Sequence, residues 1–159
     1  MPSDYHSNVE KGIIEFGKKY KIYKNIYVGS NRPIPINHPT QKKVPIQYRP
    51  DVYFVTKWGG LIIFEILDSE MKDENLLIAD ILLACLSQNV KKIFFITPTM
   101  EDSEKVQDLA LTIISNLESK GASKKELPKV FANLFILKDE AQTPDSVKKM
   151  LIENNTATA

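Results

Sequence analysis

A chain of 159 residues, 43% hydrophobic and 26% charged, is long enough to bury a core of ordinary size in one domain without staples. Its 21 lysines and arginines against 20 aspartates and glutamates leave a net charge of +1, so no molecule-wide field marks a nucleic-acid ligand and any such binding must come from a local patch. No apolar run approaches the ~20 residues of a membrane helix. The start Met1-Pro2-Ser3-Asp4-Tyr5-His6 lacks the apolar stretch of a signal peptide, and the single Cys85 excludes an intramolecular disulfide and a thiolate zinc cluster. An intracellular, cytoplasmic protein is expected, with residues 1–153 in a single α/β domain and 154–159, small and polar, as a flexible C-terminal tail.

Ser7 is placed to cap a helix beginning at Asn8, with Glu10 completing a capping-box pattern and Val9, Ile13, Phe16 and Tyr20 forming one apolar stripe. Ile22 to Val28 reads as a strand that stops at Gly29-Ser30-Asn31. From Asn31 to Pro50 there are five prolines, which remove backbone donors and fix φ, so extended loop or edge strand is expected and helix is excluded. This stretch holds Arg32, Lys42, Lys43, Arg49 and His38 and no acid. It suits either a solvated loop or a polyanion-binding one.

Pro50 to Leu67 is two strands around the Gly59-Gly60 turn. The second strand is apolar except for Glu65, and an ionised carboxylate inside a central strand costs several kcal/mol, on the order of the desolvation penalty per ion, unless something compensates it. A charged connection, Asp68 to Asn75, leads into a helix over 74–87 with Ile78, Ile81, Leu82 and Cys85 on its packing face and Asp80 toward solvent. Cys85 there serves as a small buried hydrophobe. Lys92 to Thr97 is a short apolar strand ended by Pro98, and strand, helix, strand over this length makes a βαβ unit with parallel strands. Their carboxyl ends then bring Glu65 to one sheet edge with the loop Pro98 to Asp102. Ser103 is placed to cap the next helix, Lys129 to Leu137 is the last strand, and Thr143-Pro144 opens a short final helix to Glu153.

This order, a helix, a strand, a hairpin carrying Asp then Glu, a crossover helix and a strand, resembles the PD-(D/E)xK nuclease superfamily. The matching residues are Pro50-Asp51, Glu65-Ile66-Leu67 in place of (D/E)-x-K, and Glu10 as the acid of the first helix. The resemblance covers roughly residues 7–97. It implies a mixed central sheet flanked by helices, with a restriction-endonuclease-like αβββαβ core. It also implies hydrolysis of phosphodiester bonds in nucleic acid, DNA expected, with Asp51 and Glu65 holding Mg²⁺ or Mn²⁺. Hard divalent cations take oxygen ligands, and a bound one lowers the pKa of its water and neutralises charge developing on phosphorus. An odd number of residues in the hairpin loop places both acids on one face of the sheet.

Leu67 stands where the family carries its lysine, so the ammonium that would orient the water is missing. Lys57, Lys91 and Lys92 fall at the wrong end of the strands; Lys72, in the connection beyond Glu65, is the best substitute. The expected site is therefore Glu10, Asp51, Glu65 and Lys72. Each acid also has a structural explanation: Glu10 as a helix cap, Asp51 as a turn residue after proline, and Glu65 as an edge-strand acid paired with a lysine. Glu101 and Asp102 serve the helix that follows them, and His6 and His38 are too isolated for a zinc site. The leading alternative function is a nuclease-like fold without catalysis that binds nucleic acid or protein. A symmetric homodimer is the default for any assembly.

Overall fold

The computed structural model describes residues 4–20, 23–29, 32–36, 46–67, 74–87, 89–121, 134–136 and 143–155. In chain order the elements are α1 (Asp4–Tyr20), β1 (Tyr23–Val28), β2 (Ile34–Ile36), β3 (Ile46–Tyr48), β4 (Val52–Thr56), β5 (Leu61–Ile66), α2 (Glu74–Leu86), β6 (Val90–Thr97), α3 (Met100–Ser119), β7 (Leu134–Ile136) and α4 (Pro144–Asn155). Five strands form one mixed sheet in the order β1-β4-β5-β6-β7, antiparallel from β1 to β5 and parallel from β5 to β7. The parallel pairing of β5 with β6 is the one expected from the βαβ spacing.

Alternation along the strands sorts the core into two layers, because successive side chains point to opposite faces. Val52, Phe54, Ile62, Phe64, Phe94 and Ile96 face α1 and α4, where they meet Val9, Ile13, Phe16, Val147 and Leu151. Tyr53, Ile63, Ile93 and Phe95 face the other way and pack with Leu77, Ile81 and Ala84 of α2 and Val106, Ala110 and Ile114 of α3. The first and last helices of the chain thus share one core layer.

Three helix details differ from the expectations. The first helix begins at Asp4, a turn before the proposed Ser7 cap. Tyr5 extends the apolar stripe, and its hydroxyl donates to the Ile96 carbonyl at 3.2 Å, anchoring that extra turn on the sheet. The third helix is capped by Thr99 and not by Ser103: Thr99 Oγ1 accepts from the Asp102 backbone N–H at 3.1 Å and donates to its carboxylate at 2.9 Å. That leaves Ser103 buried in the first turn. On α2 the buried line is Leu77, Ile81 and Ala84, whereas Ile78 and Leu82 of the expected face are only partly buried; the side chain of Cys85 lies outside the described residues. The helix is apolar nearly all round, so periodicity alone does not fix which side faces the sheet.

Of the proline-rich stretch, residues 32–36 and 46–50 are described and none of them is helical, in line with the expected extended loop or edge strand. Ile34–Ile36 and Ile46–Tyr48 pair as a separate two-stranded sheet, with Pro35 opposite Gln47. Ile34 and Tyr48 are buried on the α2 and α3 side of the main sheet, over Tyr53 and Ile63. Residues 37–45, with His38, Lys42 and Lys43, lie outside the described residues. Among the described residues no helix is long and apolar enough to cross a membrane.

Candidate functional site

Glu65 sits in the third of five strands, between β4 and β6, and is 5% exposed. The edge-strand explanation for this acid is therefore overturned: β5 is paired on both sides, and Phe95 lies directly across from Glu65 on β6. The β4–β5 ladder pairs Val52 with Phe64 and Val55 with Leu61, leaving five residues, Thr56 to Gly60, between the last pair. Continued by one residue, this register sets Asp51 opposite Glu65, so both acids lie on the same face, as an odd loop requires. Asp51 is also tied to the end of β5, since its Oδ2 accepts from the Ile66 backbone N–H at 2.8 Å.

Around this pair the fold places a tyrosine, a histidine and two more acids. Tyr48, at the end of β3, donates its hydroxyl to Glu65 Oε1 at 2.5 Å, and both groups are buried. From α1, His6 Nε2 lies 3.3 Å from Asp51 Oδ1, and its Nδ1 lies 3.9 Å from Glu10 Oε2. Glu10 therefore meets the site through the imidazole, one helical turn from it on the same face. Asp80 is not the solvent-facing acid expected of α2. It lies three residues after Leu77 and four before Ala84, on the side that turns toward the sheet, and it is only partly exposed.

The electrostatics follow from crowding acids where water is scarce. Burial pushes the Glu65 carboxyl well above its usual range, and repulsion from Asp51 and Asp80 adds to the shift, as does a hydrogen bond shared with Asp51. The hydrogen bond from Tyr48 opposes the shift by stabilising the carboxylate. Asp80 is pushed up to about 6, first by burial and then by repulsion from Asp51. The Tyr48 hydroxyl is raised too, by burial first and by the charge of Glu65 second. Among the described residues no lysine or arginine acts on Glu65; burial favours its neutral form, and the one group that stabilises its charge is the neutral Tyr48 hydroxyl.

The remaining expected residues divide clearly. Leu67, at the position of the family's lysine, packs against the α2 and α3 core layer and donates its backbone N–H to Ile96 at 2.9 Å. Lys72 lies outside the described residues. Lys57 and Lys91 are exposed at the opposite end of the strands. Glu101 pairs with Lys105 at 3.6 Å and Asp102 serves the Thr99 cap, so both lie in the first turn of α3 and do not precede the helix as expected. Sequence reasoning missed Tyr48 and His6. The first comes from a stretch whose pairing no local pattern encodes, whereas His6 stands four residues before Glu10 and becomes legible once the helix is known to start at Asp4.

Among the described residues no three His, Cys, Asp or Glu side chains are arranged to hold a metal ion. The pair Asp51 and Glu65 still matches a hard divalent cation in donor chemistry, because Mg²⁺ is commonly held by one or two carboxylates, with waters and substrate phosphate supplying the rest.

No protein-family model matches this sequence, and neither does any curated protein. Among solved structures the chain is similar to the crystal structure of protein VC1899 from Vibrio cholerae, with a TM-score of 0.46 and 13% identity over 93% of this chain and 31% of that one. The chain thus spans about a third of that protein's length.

Proposed function

We propose that this protein is a metal-dependent nuclease that hydrolyses phosphodiester bonds, with DNA as the first substrate to test, on a restriction-endonuclease-like core of the PD-(D/E)xK kind. The observation that carries this reading is the pairing of Asp51 with a buried Glu65 at one end of the sheet, where acids crowd and, among the described residues, no lysine or arginine acts on Glu65. A fold keeps such a costly arrangement when a cation makes up the deficit.

Asp51 and Glu65 would hold Mg²⁺ or Mn²⁺, which when bound lowers the pKa of a water and neutralises charge building on phosphorus. The chain's own groups prepare that site. The Ile66 backbone N–H fixes one oxygen of Asp51, His6 bears on the other, and Tyr48 orients Glu65. With Leu67 in place of the lysine, orientation of the attacking water falls to groups outside the motif, and His6 is the polar side chain nearest Asp51 from α1.

The test is cleavage of single-stranded and duplex DNA in Mg²⁺ or Mn²⁺ by the wild-type protein and by Glu65→Gln, which keeps an acceptor for Tyr48. Loss of cleavage in a folded Glu65→Gln variant is expected, and turnover at the wild-type rate would reject the assignment.

The second reading, a nuclease-like fold that binds nucleic acid or protein without cutting, is favoured by Leu67 and by the Tyr48 hydroxyl already bonded to Glu65. Wild-type protein that binds DNA but cleaves none of it in either metal would select this alternative.

A further inference from the structure

At the other end of the sheet, Trp58 is 81% exposed at the tip of the β4–β5 hairpin. Leaving so large a ring in water forgoes the burial that aromatic side chains ordinarily supply. The tip is also rigid: Thr56 N–H donates to the Gly60 carbonyl at 2.8 Å, Gly59 N–H to the Thr56 carbonyl at 3.1 Å, and Gly60 N–H to Thr56 Oγ1 at 3.0 Å. Gly59 takes the left-handed conformation, φ 86°, that this turn requires. The ring is therefore presented by a fixed turn.

The surroundings of the ring are cationic. Lys57 adjoins it and is exposed. Lys91, at the start of β6, lays its aliphatic stem across Gly60, close enough that a Cβ there would stand 2.5 Å from its Cγ. On the other flank Lys24 is exposed at the register shift where Tyr23 pairs with Thr56. Residues 23–28, 56–60 and 89–92 contribute Lys24, Lys57, Lys91 and Lys92 and no acid. Among the described residues, the other large hydrophobics left exposed are Leu76 and Leu111, on α2 and α3, so Trp58 is a single aromatic face among lysines and not part of an apolar patch.

From this we infer that the hairpin tip is a stacking platform for single-stranded nucleic acid: Trp58 receives an unpaired base while Lys24, Lys57 and Lys91 neutralise the flanking phosphates. A lone flat ring in a basic setting suits a base, whose faces are apolar and whose backbone is anionic. Insertion into a lipid surface or a protein interface would call for contiguous apolar area, which the tip lacks. The tip precedes the amino end of β5, whose first residue, Leu61, is itself four residues and about 13 Å from Glu65 along the strand, so this site is separate from the carboxylate pair.

Trp58 is the only tryptophan in the chain, so its emission reports on the tip directly. The experiment titrates wild-type protein with a single-stranded oligothymidylate in EDTA, where no metal-dependent cleavage occurs and the outcome is independent of the nuclease reading. Expected are quenching of the tryptophan emission, affinity that falls with salt, and, by anisotropy of a labelled oligonucleotide, binding at least about tenfold weaker for Trp58→Ala. Trp58→Phe should recover part of that loss, and Lys57→Ala with Lys91→Ala should flatten the salt dependence. Because the ring is outside the core, matching urea unfolding of Trp58→Ala and wild type verifies that the variant is folded. Unchanged affinity in Trp58→Ala, absence of quenching, or an emission shift on anionic lipid vesicles with no response to the oligonucleotide would each overturn the inference.

Discussion

Glu65 and Asp80 are acids whose neutral forms are favoured by the fold, and this makes stability fall as pH rises. For Asp80 the folded pKa is raised from 3.8 to about 6. The native state therefore keeps a proton that the unfolded chain has already released. Its contribution is fully present below about pH 4, the unfolded carboxylate range, and is lost as pH rises through about 6. Asp80→Asn, which cannot ionise, should be more stable than wild type at pH 8, with the difference shrinking toward pH 4, as read from urea midpoints. Parallel pH profiles for the two proteins would show that Asp80 does not sense the site. Glu65 is shifted in the same direction, with Tyr48 as its partner in place of a cation.

Elements meet closely where α1 and α4 cross. A Cβ at Gly12 would stand 2.6 Å from Val147 Cβ and 2.7 Å from the Pro144 carbonyl oxygen, and both are held by backbone. Gly12→Ala should therefore cost about 1–3 kcal/mol through overpacking, against the usual gain from alanine in a helix. Urea denaturation decides the sign. The same substitution tests what positions the site, because α1 also carries His6 and Glu10. Displacing it from α4 shifts the helix whose first turns bear on Asp51.

For the whole molecule, the mixed sheet gathers the carboxylates at one end and the exposed tryptophan and lysines at the other. A ligand bound by the folded state alone raises stability by mass action, so Mn²⁺ should increase Tm in wild type and not in Glu65→Gln. Metal must displace the proton that burial favours on Glu65, so binding releases protons and the Tm increase should be larger at pH 8 than at pH 6. An equal increase in both proteins would locate the cation elsewhere, and no increase at millimolar Mn²⁺ would favour the non-catalytic reading.

Taken alone, the sequence determined whatever depends on short-range pattern. The β-branched and aromatic runs of Val52 to Ile66, the strand and helix periods from Glu74 to Thr97, and the Gly59-Gly60 turn were enough for the hairpin and the parallel β5–β6 pair, whereas the shared face of Asp51 and Glu65 hung on an odd loop that only the observed register supplies. Tertiary structure alone decided what depends on which surfaces meet. Asp80 turns inward because α2, apolar almost all round, settles on Leu77, Ile81 and Ala84; no periodicity distinguishes that side from the next. Tyr48 reaches Glu65 because β2 and β3 pair over the sheet, and that closure is worth its entropy only once Ile34 and Tyr48 are buried against Tyr53 and Ile63. Local chemistry writes the elements, whereas the setting of a buried charge is fixed by contacts between residues far apart in the chain.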